Sequence, residues 1–209
     1  MDKNNARKLA KKYIKSEPMP MGLRAAFREN GWDDALLEVH ELTAQYILEN
    51  EGAPKGVMTH LKQILPSIAF YKVLIQREGS QEKALAVFEK YCFTKLEKLA
   101  KIFPTALKIP GLYKLVPGLM EKLLDSTFGE KSGFQYVRRE CKNGFAADML
   151  MCPYVSTCKK YGCPELAQFF CKSDDICYGN MHPKLVWART KTLGMGGDCC
   201  DFKLYIKKD

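Results

Sequence analysis

Along the first 130 residues apolar side chains return every three or four positions, the period of helices with one buried face. Ala6, Leu9, Ala10, Tyr13 and Ile14 share one side of a short first helix. Asp33 or Asp34 can cap another that runs to about Glu49. Val57, Leu61, Ile64, Leu65 and Ile68 mark a further helix near Lys55 to Gln76, with Pro66 placed to kink it. Ser80 suits the N-cap of a helix to about Ile102, on which Leu85, Phe88, Cys92, Leu96 and Leu99 form a core stripe. From Leu112 to Leu124 the helical period persists among Pro104, Pro110 and Pro117, which predicts a broken helix roofing an apolar pocket or covering a sheet.

After Gly129 the pattern changes. FQYVRREC and FAADMLMC flank Lys142-Asn143-Gly144, and Asn-Gly readily supplies the positive φ angles of a tight turn, so a hairpin is expected. Pro153 opens a short helix that Gly162 ends, and Pro164 opens a second, PELAQFFCKSDDICYG. LVWARTKT and CCDFKLYI, separated by Gly194, Gly196 and Gly197, read as a second hairpin. The predicted class is therefore α+β: a helical region over 1–130, then a cysteine-rich region over 131–209 in the order β-β-α-α-β-β, with a four-stranded antiparallel sheet, the two forming one compact unit.

Composition narrows the function. The chain has 209 residues, 46% of them hydrophobic, and no apolar run long enough to span a membrane. Its net charge is +9, but residues 1–15 carry a surplus of five, which leaves +4 for the rest. That is not the basic stripe of a nucleic-acid binder. The basic first helix reads as one that docks on the core, with an anionic lipid or nucleic acid as the alternative. The N-terminus lacks the apolar stretch of a secretory signal, so a cytoplasmic protein is expected. The P-loop, G-x-G-x-x-G, G-x-S-x-G and H-E-x-x-H motifs do not occur.

Eight of the nine cysteines lie between Cys141 and Cys200. An odd count in a chain of this kind favours reduced thiols over a disulfide framework. The intervals match neither the C-x-x-C pairs of structural zinc nor the runs that hold iron-sulfur clusters. Cys92, Cys141, Cys158, Cys163 and Cys177 read as small buried hydrophobes. Cys152 sits just before a helix, where free N–H groups and the helix dipole favour a thiolate. Cys199 and Cys200 are neighbours in a strand and point to opposite faces, so Cys200 is the site candidate and Cys199 is packing.

Glu165 opens its helix, where the dipole stabilises a carboxylate whether or not it has a function. Cys171 shares a helix face with Asp174 or Asp175. Arg189, inside a strand, is suited to gripping an acidic substrate, or else to a salt bridge with Asp198 or Asp201. His40 and His60 read as structural, and His182 lies in a loop before Pro183.

These residues resemble the L-2-amino-thiazoline-4-carboxylic acid hydrolase family. The resemblance runs through MCPYVSTCKKYGCPELAQFFCKSDD and LVWARTKTLGMGGDCCDFKLY, and rests on Cys152, Tyr154, Gly162, Glu165, Cys171, Asp174, Arg189, Thr192, Gly197, Cys200, Asp201 and Phe202. It implies ring-opening hydrolysis of a cyclic isothiourea carboxylate to a carbamoyl-cysteine, with a small-molecule substrate. On that implication Cys152 or Cys200 attacks the amidine carbon or positions water, and Glu165 or Asp174 handles the proton. Arg189 grips the carboxylate, with Thr192, Gly197, Asp201 and Tyr154 completing the substrate site. The competing arrangement has Cys171, Asp174 and Cys200 hold a divalent metal that activates water. The glycine-rich turn and closing Cys-Asp-Phe are also similar to ligand-binding domains of the 4-vinyl-reductase type, which implies a non-catalytic binder or sensor instead. Self-association into a homo-oligomer is left open.

Overall fold

Helix-starting residues set the register of the N-terminal elements in the computed structural model, which describes residues 1–207. Asp2 caps helix α1 (Lys3–Ser16) by accepting from the Asn5 N–H, and Ala6, Ala10, Tyr13 and Ile14 are the face it buries. Helix α2 (Pro18–Glu29), which the sequence pattern did not reveal, starts on a proline in its first turn. Helices α3 (Asp33–Glu49) and α4 (Lys55–Glu78) keep the predicted bounds closely, the latter with Pro66 inside it. Ser80 caps α5 (Gln81–Cys92) through the Lys83 N–H. The expected helix to Ile102 is broken at Phe93, and α6 (Thr94–Ala100) follows. Phe88 and Cys92 are fully buried, whereas Leu99 is 47% exposed, so the predicted stripe is core only in its first half. Residues 1–53 and 58–96 make one compact unit. Residues 54–57 and 97–209 make the second, so the division falls near 96 rather than at 130, where the sequence pattern changes.

In the second unit the prolines break the chain as expected into α7 (Ile102–Ala106), a 3-10 turn at Leu112–Leu115 and α8 (Val116–Thr127). Strands β1 (Gln135–Arg139) and β2 (Gly144–Met151) follow, joined through Asn143, whose φ of 61° is the left-handed conformation that asparagine tolerates. Helix α9 (Pro153–Lys160), a 3-10 turn at Pro164–Leu166 and α10 (Ala167–Tyr178) come next. Strands β3 (Leu185–Ala188) and β4 (Cys200–Ile206) end the unit. All pairings are antiparallel, in the order β1-β2-β4-β3, so the chain is α+β as its pattern predicts.

Alternation along the strands aims one side chain in two at the helices. Phe145, Ala147 and Met149 of β2 and Cys200 and Leu204 of β4 belong to the buried cluster, against which Met120 of α8, Tyr178 of α10 and Trp187 of β3 pack. Arg138 of edge strand β1 pairs with Glu121 and Asp125 of α8, and the Tyr136 hydroxyl donates to Asp125. Those contacts hold α8 over the sheet.

Candidate active site

Between the inner face of the sheet and helices α8 and α10 lies a cavity of about 140 Å³. Much of the wall is apolar, from Met120, Leu123, Phe134, Phe145 and Met149 among others, with Met149 opposite Cys200 on the neighbouring strand. Around it the rings run in a chain: Phe145 meets Phe202 at 6.0 Å, Phe202 stacks on Trp187 at 5.5 Å, and Trp187 meets Tyr178 at 5.0 Å. Cys152, Cys171, Asp174, Arg189 and Cys200 supply its polar groups. Phe170, Cys171, Asp174 and Tyr178 come to the wall from one face of α10, because spacings of three and four place them on successive turns.

Cys171 has the most developed surroundings. The Cys200 thiol donates to its sulfur, the Thr192 hydroxyl and the Gly194 N–H face it, and the Arg189 guanidinium adds positive charge. Together these outweigh burial and hold the Cys171 thiol well below the ordinary thiol range. Cys200 pays the reverse: donation to Cys171, reinforced by burial, keeps it protonated, and the Leu193 N–H donates to its sulfur at 3.2 Å. Thr192 Oγ1 is buried and meets no partner in regular hydrogen-bond geometry, so a thiolate at Cys171 is the acceptor that would satisfy it. Gly194 makes the close approach feasible. A Cβ there would lie 2.8 Å from Cys171 Sγ and 3.0 Å from the Ala167 carbonyl.

Arg189 lies just past the end of β3, and its partners are neither Asp198 nor Asp201. Its Nη2 donates to Asp175 Oδ2 at 2.6 Å and to the Cys171 carbonyl, while Nη1 stands 3.6 Å from Asp174 Oδ2. Asp175 also accepts from Trp187 Nε1 at 2.9 Å. Asp174 lies on the cavity wall, surrounded by protein although 48% of its side-chain surface is exposed. Desolvation there, with Cys171 and Asp175 adding negative charge, pushes its carboxyl up to about 7 against the pull of Arg189. Solvent entering the cavity tempers that rise.

The other candidates divide. Cys152 does sit at the N-cap of α9, but burial pushes its thiol up to about 12, over the opposing N–H groups of Val155 and Tyr154. Desolvation there overcomes the helix terminus that sequence reasoning relied on. Tyr154 lines the cavity, 4.9 Å from the Phe170 ring. Glu165, in the 3-10 turn before α10, is not part of the cavity wall. Asp201, between the inward-facing Cys200 and Phe202, accepts from the Thr190 and Lys191 N–H groups at 2.8 and 2.9 Å and from the Thr190 hydroxyl at 2.6 Å. Burial opposes its charge, but these donors hold its carboxyl at about 2. The Gly197 N–H closes the turn onto the Thr192 carbonyl at 2.9 Å. Asp201 and Gly197 thus fix the segment that carries Thr192 and Gly194.

Among the described residues no group of three or more His, Cys, Asp and Glu side chains is arranged to hold a metal ion. The set Cys171, Asp174 and Cys200 does not fit one: the thiols pair with each other and Asp174 turns toward Arg189. Ser173, Tyr178 and Trp187 are cavity residues that sequence reasoning missed. The helical spacing from Phe170 to Tyr178 is the signal that could have found the first two.

Fold and site define an α+β protein whose sheet and covering helices enclose an apolar cavity with a paired thiol, a carboxyl and an arginine in its wall. The family model described as L-2-amino-thiazoline-4-carboxylic acid hydrolase matches residues 59–204, and the chain belongs to that family. No curated protein and no solved structure matches it. Among the described residues no helix is long and apolar enough to cross a membrane.

Proposed function

We propose that the protein hydrolyses a small sulfur-containing ring with an electrophilic C=N carbon, a cyclic isothiourea or thioimidate that bears a carboxylate, with Cys171 as the nucleophile. The observation that carries this reading is the convergence, in one cavity, of a stabilised thiolate, a carboxyl whose pKa is pushed up toward neutrality and an arginine whose side chain is 9% exposed. The family name supplies the substrate type.

Arg189 Nη1, beyond hydrogen-bond distance of Asp174, takes the substrate carboxylate. Cys171 Sγ bonds to the amidine carbon as the ring carbon-sulfur bond breaks, and Asp174 gives its proton to the departing thiolate. Water then adds to the same carbon, one of its protons going to the former ring nitrogen and the other to the Asp174 carboxylate, and expels Cys171 as its thiolate, which leaves a carbamoyl-cysteine. Cys200 and the Gly194 N–H stabilise the Cys171 thiolate before attack and after release. Cys200 therefore supports the nucleophile, and Cys152 shapes the pocket.

A non-catalytic binding domain is the second reading, favoured by the apolar and aromatic character of most of the wall. Turnover of L-2-amino-thiazoline-4-carboxylate by reduced protein, followed by mass spectrometry beside Cys171→Ser and Cys152→Ser, separates the two. Product from wild type and Cys152→Ser but not from Cys171→Ser is expected. No product from folded wild type would remove this substrate and favour the binder.

A further inference from the structure

The polar groups of the cavity wall leave a larger apolar remainder without a role in the chemistry above. A cavity of about 140 Å³ has room for on the order of ten waters. A five-membered ring with an amino group and a carboxylate satisfies Arg189, Cys171 and Asp174 and reaches no further. The rest of the wall includes Met120, Leu123, Phe134 and Phe145, with Met149 adjoining Cys200 across the strands, and these five offer a ligand nothing but dispersion and exclusion of water. Two of the five are methionines, whose unbranched side chains adapt to irregular ligands. Leu123 is 39% exposed and also lines the cavity, so the apolar part reaches the surface along α8.

We propose, resting on the hydrolase reading, that the substrate of this protein carries an apolar alkyl or aryl group in place of the amino group of the simple heterocycle. In a ring with its carboxylate at position 4, the substituent at position 2 points away from the carboxylate. With that carboxylate on Arg189 and carbon 2 at Cys171, the substituent enters the apolar part. The reaction remains addition of one water across the ring carbon-sulfur bond. Its oxygen becomes an amide carbonyl, one of its protons goes to the ring sulfur and the other to the ring nitrogen, and the product is an N-acyl-cysteine.

The test is calorimetric binding of 2-methyl, 2-propyl, 2-pentyl and 2-phenyl thiazoline-4-carboxylates to Cys171→Ser protein, with turnover of each measured on wild type. Affinity is expected to rise roughly fourfold for each methylene buried, until the cavity is full. Leu123→Glu, at the partly exposed rim, is expected to flatten that rise. Affinity that is constant or weakens with chain length overturns the proposal, and the binding series decides this without any variant of α8. Rising affinity with no turnover of any member leaves the apolar site standing and removes the hydrolase reading. Turnover of the 2-amino compound with a flat series does the opposite.

Discussion

Alanine in place of Gly194 isolates the contribution of the thiolate's surroundings. Gly194 does not have a positive φ, so an alanine can adopt its backbone conformation and only the added methyl matters. That methyl would lie 2.8 Å from Cys171 Sγ and 3.0 Å from the carbonyl carbon and oxygen of Ala167, where ordinary contact begins at 3.4 Å. The turn must therefore retreat by roughly half an ångström, and overpacking of this kind costs about 1–3 kcal/mol of stability. The retreat also takes the Gly194 N–H away from the sulfur. A hydrogen bond to a charged group contributes about 1.5–3 kcal/mol, and each pKa unit corresponds to about 1.4 kcal/mol. The Cys171 pKa should consequently rise by about one to two units. The assay is the rate of iodoacetamide alkylation against pH, with Cys171 followed by peptide mapping. Gly52→Ala, which meets nothing within 4 Å, serves as the control. A reduced melting temperature with an unchanged alkylation profile would refute the idea that this turn stabilises the thiolate.

Three further outcomes are expected. Turnover should fall on the alkaline side as Asp174, pushed up to about 7, loses the proton it donates; Asp174→Asn should remove that limb of the kcat/KM profile and cost about 10²–10⁴ in rate. Because the folded pKa of Asp174 is raised above its unfolded value of about 3.9, ionisation costs stability progressively between about pH 4 and 7, and urea unfolding of the Asn variant should show a flatter pH dependence there. Asp201 has the opposite sign. Its folded pKa of about 2 lies below the unfolded value, so the contribution of its charge is present above about pH 4 and lost as pH falls toward 2; Asp201→Ala should destabilise the protein at pH 7, by an amount that shrinks as pH falls toward 2. Asp175→Asn weakens the hold on Arg189, and because Asp175 is half exposed the cost is about 1 kcal/mol, seen as a roughly fivefold rise in KM with kcat little changed.

How far the sequence carried the structure depends on the range of the interactions involved. Caps and prolines act locally, so Ser80, Asn143 and Pro153 were legible; the bounds of α3 followed its apolar period, since Asp33 and Asp34 lie in its first turn and its N-cap, Trp32, makes no side-chain cap bond. Strand alternation correctly turned Cys200 inward. The break at Phe93 was not legible, because Leu96 and Leu99 keep the helical period while only Phe88 and Cys92 find a core. The thiols show the same limit. Cys152 has the local signature of an activated cysteine, and the bulk of the fold reverses it. Cys171 has no such local signature: its donors come from residues 192, 194 and 200, together with Arg189, which only the sheet and the last turn bring to α10.

The most direct test of the central claim is acid quench of wild-type protein during turnover of a thiazoline carboxylate, with peptide mapping of the covalent adduct by mass spectrometry. A substrate-derived adduct on Cys171 is expected, absent from Cys171→Ser and retained in Cys152→Ser. Undiminished turnover by Cys171→Ser, or an adduct confined to Cys152 or Cys200, would contradict it.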